Sequence, residues 1–251
     1  MNPDHTRRGL LRAGLPLLLP AAALLPSAAW AQRISGSGRA ASEMRSLPAF
    51  QGVTLSGAMD LVARQGPSQA VEVQADDNLL PLIETEVSGS GADARLQVRW
   101  KRGVSIYAAG KVRVIVTVPV LTALTASGSG NLLVEPFETP SLAIRVSGSS
   151  DVRLRQLNAG DLQLSISGSG DVAGAGRATT LKIAIAGSGD VQLRDLKADD
   201  VTIDIAGSGD ASVHADKSLR ARIAGSGDVI YTGNAARVDA QVSGSGSVKK
   251  R

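Results

Sequence analysis

The stretch Ser167-Gly168-Ser169-Gly170-Asp171 decides how this chain folds, because it does not stand alone. From Gly128 onward a Gly-Ser-Gly-like tract recurs seven times, and the polar residue closing it falls at Asn131, Asp151, Asp171, Asp190, Asp210, Asp228 and Ser247. The successive steps are 20, 20, 19, 20, 18 and 19 residues. Flexible linkers have no reason to keep such a period, whereas a repeat architecture that turns the same corner once per unit requires it.

Between corners the chain is patterned. Leu162-Gln163-Leu164-Ser165-Ile166-Ser167, Leu181-Lys182-Ile183-Ala184-Ile185-Ala186 and Val201-Thr202-Ile203-Asp204-Ile205-Ala206 alternate strictly, as a strand with one apolar face does. A shorter strand follows each corner, as in Asp151-Val152-Arg153-Leu154 and Asp190-Val191-Gln192-Leu193. Two strands per repeat, in register, predict an all-β fold: a β-solenoid, parallel β-helix-like, with equivalent strands about 4.8 Å apart. Its inward ladder runs from Leu142, Ile144 and Val146 through Leu162, Leu164 and Ile166 to Leu219, Ala221 and Ile223. Each buried aliphatic contributes roughly 1.5–3 kcal/mol, which stacked coils can sum and a lone coil cannot. Hairpin corners of an antiparallel sandwich compete with this reading, since alternating strands and Gly-rich turns serve there too.

A narrow solenoid reverses sharply at every coil, and glycine reaches backbone angles barred to other residues. The middle corner residue is always Ser, from Ser129 to Ser245, while the second glycine is replaced once, by Ser150. The first glycine is therefore the one expected at positive φ, with Ser and Asp hydrogen-bonding the turn. The first half is less regular. Phe50 to Arg64, Ala70 to Ala75, Arg95 to Trp100 and Lys111 to Val118 read as strands, and Asn78 to Ile83 as a short helix interrupted by Pro81. Ser56-Gly57-Ala58-Met59-Asp60 and Ser88-Gly89-Ser90-Gly91 echo the corner.

Arg7, Arg8 and Arg12 precede an apolar run from Leu15 to Leu25 and a small-x-small site at Ala29-Trp30-Ala31, the layout of an export signal cleaved before Gln32. Thr6-Arg7-Arg8-Gly9-Leu10-Leu11-Arg12 resembles the twin-arginine type. The expected organisation is a signal over 1–31 and one all-β domain over 32–251, less regular at 45–120 and regular at 121–248. Pro16, Pro20 and Pro26 break the apolar run, so no membrane-spanning segment is expected in the mature chain, which belongs in the periplasm or outside the cell.

There is no Cys, which excludes disulfide staples and thiolate metal sites. Beyond residue 31 the chain carries 24 basic and 22 acidic residues, too even a balance for a nucleic-acid binder. Aromatic residues make up 2% of the chain, so its core is aliphatic.

The chain resembles a bacterial envelope family, the putative auto-transporter adhesin, head GIN domain family. The resemblance rests on Phe50-Gln51-Gly52-Val53-Thr54-Leu55-Ser56-Gly57, on Val71-Glu72-Val73-Gln74-Ala75-Asp76-Asp77-Asn78-Leu79-Leu80, on Leu96-Gln97-Val98, and on the Ser-Gly-Ser-Gly-Asp corners that follow. It implies an exported, solenoid-like all-β domain with adhesion as its named role, and brings no catalytic residues.

Asp151, Asp171, Asp190, Asp210 and Asp228 form a column of carboxylates on one edge of the predicted solenoid. Calcium is a candidate ligand for it, since hard cations want several oxygens and stacked Gly-Asp turns supply them in calcium-binding solenoids. The competing reading is that each Asp caps its own turn. The Gly-Ser-Gly tracts are not phosphate cradles: no Gly-Lys-Ser or Gly-Lys-Thr follows, and both flanks are strand. His214, the one histidine beyond the signal, reads as a solvated surface residue. Lys217, Arg220 and Arg222 make the best basic patch, extended by Lys249-Lys250-Arg251, for an envelope glycan, lipopolysaccharide or surface protein. No cofactor is expected. The leading expectation is a non-enzymatic binding or adhesion module. A polysaccharide-active enzyme and a self-assembling envelope protein, a homo-oligomer through unpaired strand edges, are the alternatives.

Overall fold

Alternating aliphatic residues build strands throughout the structure, a computed structural model that describes residues 32–108 and 110–251. The expected export signal lies outside the described residues. The less regular half contains β1 (Gln32–Ser35), β2 (Ala40–Met44), β3 (Gly52–Ser56), β4 (Asp60–Gln65), β5 (Ala70–Asp76), β6 (Ile83–Ser88), β7 (Arg95–Trp100), β8 (Val104–Ala108) and β9 (Arg113–Val118). The repeats follow as β10 (Ala123–Gly128), β11 (Leu132–Val134), β12 (Phe137–Gly148), β13 (Val152–Gly168), β14 (Val172–Gly187), β15 (Val191–Gly207) and β16 (Ala211–Gly225). The last are β17 (Asp228–Thr232), β18 (Arg237–Gly244) and β19 (Ser247–Lys250).

Successive coils pair in parallel and keep their apolar residues in register. Leu142, Leu162, Leu181, Val201 and Leu219 form one row across β12 to β16, and Ile144, Leu164, Ile183, Ile203 and Ala221 the next. The fold is thus the expected β-solenoid, and parallel pairing of the repeats rules out the antiparallel sandwich for them. All the residues of the predicted inward ladder are buried.

Each coil has three sides rather than the two strands expected. Along β13 the core takes Val152 and Leu154, then Leu157 and Ala159, then Leu162, Leu164 and Ile166. The alternation slips at Arg155-Gln156 and at Gly160-Asp161, where two neighbours in succession stay out of the core. A side as short as Leu157-Asn158-Ala159 carries too little alternation to be recognised in the sequence.

At the Gly-Ser-Gly corner the first glycine has positive φ in every copy, for example 130° at Gly168 and 140° at Gly207. The second glycine does not, yet it is constrained by stacking: a Cβ on Gly189 would lie 2.2 Å from the carbonyl oxygen of Gly170, one coil back. Between these glycines the Ser backbone tightens the stack, with the Ser188 N–H donating to the Gly168 carbonyl at 2.9 Å.

Spatial order departs from chain order in the first half. The coil made by β3 and β4 stacks on β10 and β11 on one side and on β7 and β9 on the other, in parallel throughout. The echo at Ser56-Gly57-Ala58-Met59-Asp60 is a true corner that splits the strand expected from Phe50 to Arg64, with Gly57 at φ 105°. Three antiparallel pairings, β6 with β7, β5 with β9 and β2 with β5, then close this end. The helix expected at Asn78 to Ile83 is a single 3₁₀ turn, Leu80–Leu82, started by Pro81, and it turns Leu79 and Leu80 into the core. At the far end β18 continues the core rows, but its Val238 and Val242 remain 43% and 41% exposed.

Candidate functional site

The Asp column exists, and its carboxylates face the next coil rather than their own turn. Oδ1 of Asp151 accepts the backbone N–H of Asp171 at 3.1 Å, and Asp171, Asp190 and Asp210 do the same for Asp190, Asp210 and Asp228 at 2.9, 2.9 and 2.7 Å. Asp228 ends the ladder on the Ser247 hydroxyl at 2.8 Å. The echo joins it too, since Oδ1 of Asp60 accepts the Asn131 N–H at 3.0 Å. These bonds are charge-assisted and tie coil to coil. The capping partner therefore lies one coil away, a correction to the self-capping reading. Among the described residues there is no group of three or more His, Cys, Asp or Glu able to hold a metal ion.

The short strands beside this ladder form the floor of a trough of about 620 Å³. It crosses β9, β4, β11, β13, β14 and β15. One rim carries Asp60, Asn131, Asp151 and Asp171, with Arg113 in register beside Asp60 at its end. The other rim carries Arg64, Glu135 and Arg155, and Arg153 rises from the floor between Leu133 and Ala173. Leu133 is partly exposed on the floor, with Val62 in register beside it but buried at 7% exposure. Arg155 pairs with Glu135 at 3.5 Å. The Nε of Arg113 is buried without a hydrogen-bond partner.

The expected basic patch is dispersed by pairing. Arg220 and Arg222 point outward from β16, as alternation requires, but Arg220 contacts Asp239 of the next coil at 3.3 Å. Lys217 sits at a corner with its ammonium 2.9 Å from Asp199, whose hydrogen bond and charge hold the lysine above its usual pKa range.

The sequence of this stack matches the family model "Putative auto-transporter adhesin, head GIN domain" over residues 49–235. The chain belongs to that family. Solved structures share the head GIN fold along nearly the whole chain. A putative adhesin from Bacteroides fragilis is 22% identical with a TM-score of 0.82, covering 87% of this chain and 100% of its own. Two Parabacteroides distasonis proteins each cover 88% of this chain and 100% of their own. One, a putative adhesin, is 27% identical with a TM-score of 0.71; the other, a putative lipid binding protein, is 26% identical with a TM-score of 0.69. No curated protein matches the chain.

Two features of this head GIN domain escape a reading of its sequence. His214 is half-buried rather than solvated, with Nδ1 3.0 Å from the Thr232 hydroxyl and Nε2 3.0 Å from Asp216. It joins β16 to β17. The trough arginines were also missed, because Arg64, Arg113 and Arg153 come to line one trough only once β4 is inserted between β9 and β11. The available signal was the Arg153-x-Arg155 spacing, which puts two cations on the outer face of one strand.

Proposed function

We propose that this head GIN domain is a non-enzymatic binding module working outside the cytoplasm, in the periplasm or at the cell surface. In the same reading residues 1–31 are a twin-arginine-type signal removed before Gln32, and residues 32–251 act as one domain. The trough carries the reading. It is a shallow groove across stacked coils, whose Asp60, Asp151 and Asp171 rim recurs from strand to strand, and such a surface suits an extended ligand better than a single reacting centre. Neighbours described as adhesins support it, and the lipid-binding description of one Parabacteroides neighbour adds lipid to the classes to be tried. Lys217, Arg220 and Arg222 are kept as a secondary contact face. No catalytic residue and no cofactor are assigned.

The test is retention of the purified protein on fractionated envelope: polysaccharide, lipopolysaccharide, peptidoglycan, lipid vesicles and protein. Saturable retention on one class is expected. Absence of retention on all of them would overturn the reading, and release of reducing sugar from any fraction would make the protein an enzyme instead. N-terminal sequencing of exported protein should begin at Gln32, and replacing Arg7 and Arg8 with Lys should block export by this route.

One observation favours a second reading, self-association. The exposed Val238 and Val242 lie in the core rows of β18, and a strand with a free apolar edge is a pairing template. Sedimentation at rising concentration should then show a larger species that Val242→Lys abolishes. A monomer at every concentration would remove this reading.

A further inference from the structure

We infer that the trough binds an acidic polysaccharide, with Arg64, Arg113 and Arg153 contacting its carboxylates and the Asp rim accepting its hydroxyls. The inference rests on the binding-module reading and names the ligand class for that surface.

Reach comes first. Five spacings of about 4.8 Å between six strands make the trough about 24 Å long, and four residues separate its rims by about 13 Å along each strand. Those dimensions suit several sugar units lying along the solenoid axis. A peptide added as a strand has no place here, because the floor strands β4, β11, β13 and β14 are paired on both sides and strand addition needs a free edge.

Chemistry narrows the class. Among the described residues the only ion pair inside the trough is Arg155 with Glu135, so Arg64, Arg113 and Arg153 have no carboxylate at contact distance. Guanidinium is the side chain whose fork matches a carboxylate in two hydrogen bonds. The Nε of Arg113 is buried without an acceptor and out of a ligand's reach, so a ligand oxygen would meet this arginine at its terminal guanidinium nitrogens. Across the trough, Asp60, Asp151 and Asp171 spend Oδ1 on the next coil and keep a second oxygen for a hydroxyl donor. A ligand that uses both rims must carry anionic groups and hydroxyls together. An acidic sugar chain carries both, whereas a lipid phosphate leaves the Asp rim facing an anion unaided. Leu133 offers the carbon face of a sugar ring an apolar contact. Because acidic and basic residues alternate across the site, binding should be modest and weaken as salt rises.

The experiment titrates the full chain calorimetrically with oligogalacturonate, and with the same oligomer after methyl esterification, which keeps the hydroxyls and removes the charge. The acid form should bind and the ester should bind at least about tenfold more weakly, a loss typical of one charge-assisted contact. Arg153→Gln and Arg64→Gln should each weaken the acid form by about tenfold. Arg153→Lys should fall between, and Arg177→Gln, an exposed position of β14 outside the trough, should bind as the parent does. Unchanged melting temperatures show that the variants are folded. Equal affinity for acid and ester, or trough variants that bind normally, would overturn the inference. Retention on lipid vesicles or envelope protein without any binding of oligogalacturonate would sink the inference and leave the binding-module reading standing. Failure on every fraction would end both.

Discussion

The carboxylate of Asp190 accepts the backbone N–H of Asp210, one coil further on, at 2.9 Å. The same bond repeats along the corner edge, so a residue that looks like a ligand in the sequence acts as a rivet between coils. Its charge is a liability, since like charges directly opposite on neighbouring strands repel. Asp190→Ala should therefore destabilise the fold by about 1 kcal/mol, the usual loss for an exposed cap. Asp190→Asn keeps the acceptor, relieves repulsion and should match or exceed the parent. Urea unfolding of both variants measures this; an Asn variant as weak as Ala would show that the charge itself is required.

Calcium offers a separate check on the same column. Each coil contributes one carboxylate with one oxygen already engaged, and no group of three metal-ligating side chains forms among the described residues, so calcium should act only by screening. Melting temperature in calcium chloride should equal that in sodium or magnesium chloride of the same ionic strength. A rise specific to calcium would establish a bound ion, since a ligand that favours the native state raises apparent stability.

The two glycines of a corner should fail for different reasons. Gly207→Ala meets a φ of 140° and places a Cβ 2.1 Å from the Gly187 carbonyl oxygen. Gly189→Ala meets no positive φ, only the Gly170 carbonyl at 2.2 Å. Both should lose roughly 2–4 kcal/mol, through strain plus overpacking in the first and overpacking alone in the second. Chemical denaturation decides it. A Gly189→Ala protein as stable as the parent would mean that the coils can part locally at no cost.

The N-terminal edge should be acid-sensitive. Asp77 is partly exposed, and the Ser37 hydroxyl, then the Asn78 N–H and the Arg39 guanidinium, hold its pKa below the ordinary 3.8. A carboxyl depressed in the folded state stabilises above its unfolded pKa, and that contribution is lost as pH falls through the folded value. Amides of residues 32–44 should therefore exchange faster only at pH below about 4. Asp77→Asn should show fast exchange there at neutral pH as well. Exchange that is insensitive to both would rule out Asp77 as the anchor.

Most of the solenoid was legible locally. A period near 20 residues, strict alternation from Leu162 to Ser167 and glycine at a fixed place in each corner are properties of neighbours in the chain, and they specify a parallel stack because identical units bury identical rows. The first-glycine requirement was legible as well, through the single replacement at Ser150. What tertiary structure alone decided is which residues meet across coils. The Asp190 carboxylate finds an amide 20 residues away, a carbonyl from the preceding coil hems in second glycines such as Gly189, and β4 enters the stack out of chain order. That last insertion puts Arg64 and Arg113 into the same trough as Arg153. Alternation tells each side chain to face in or out, but only the register between strands tells it which partner it will have.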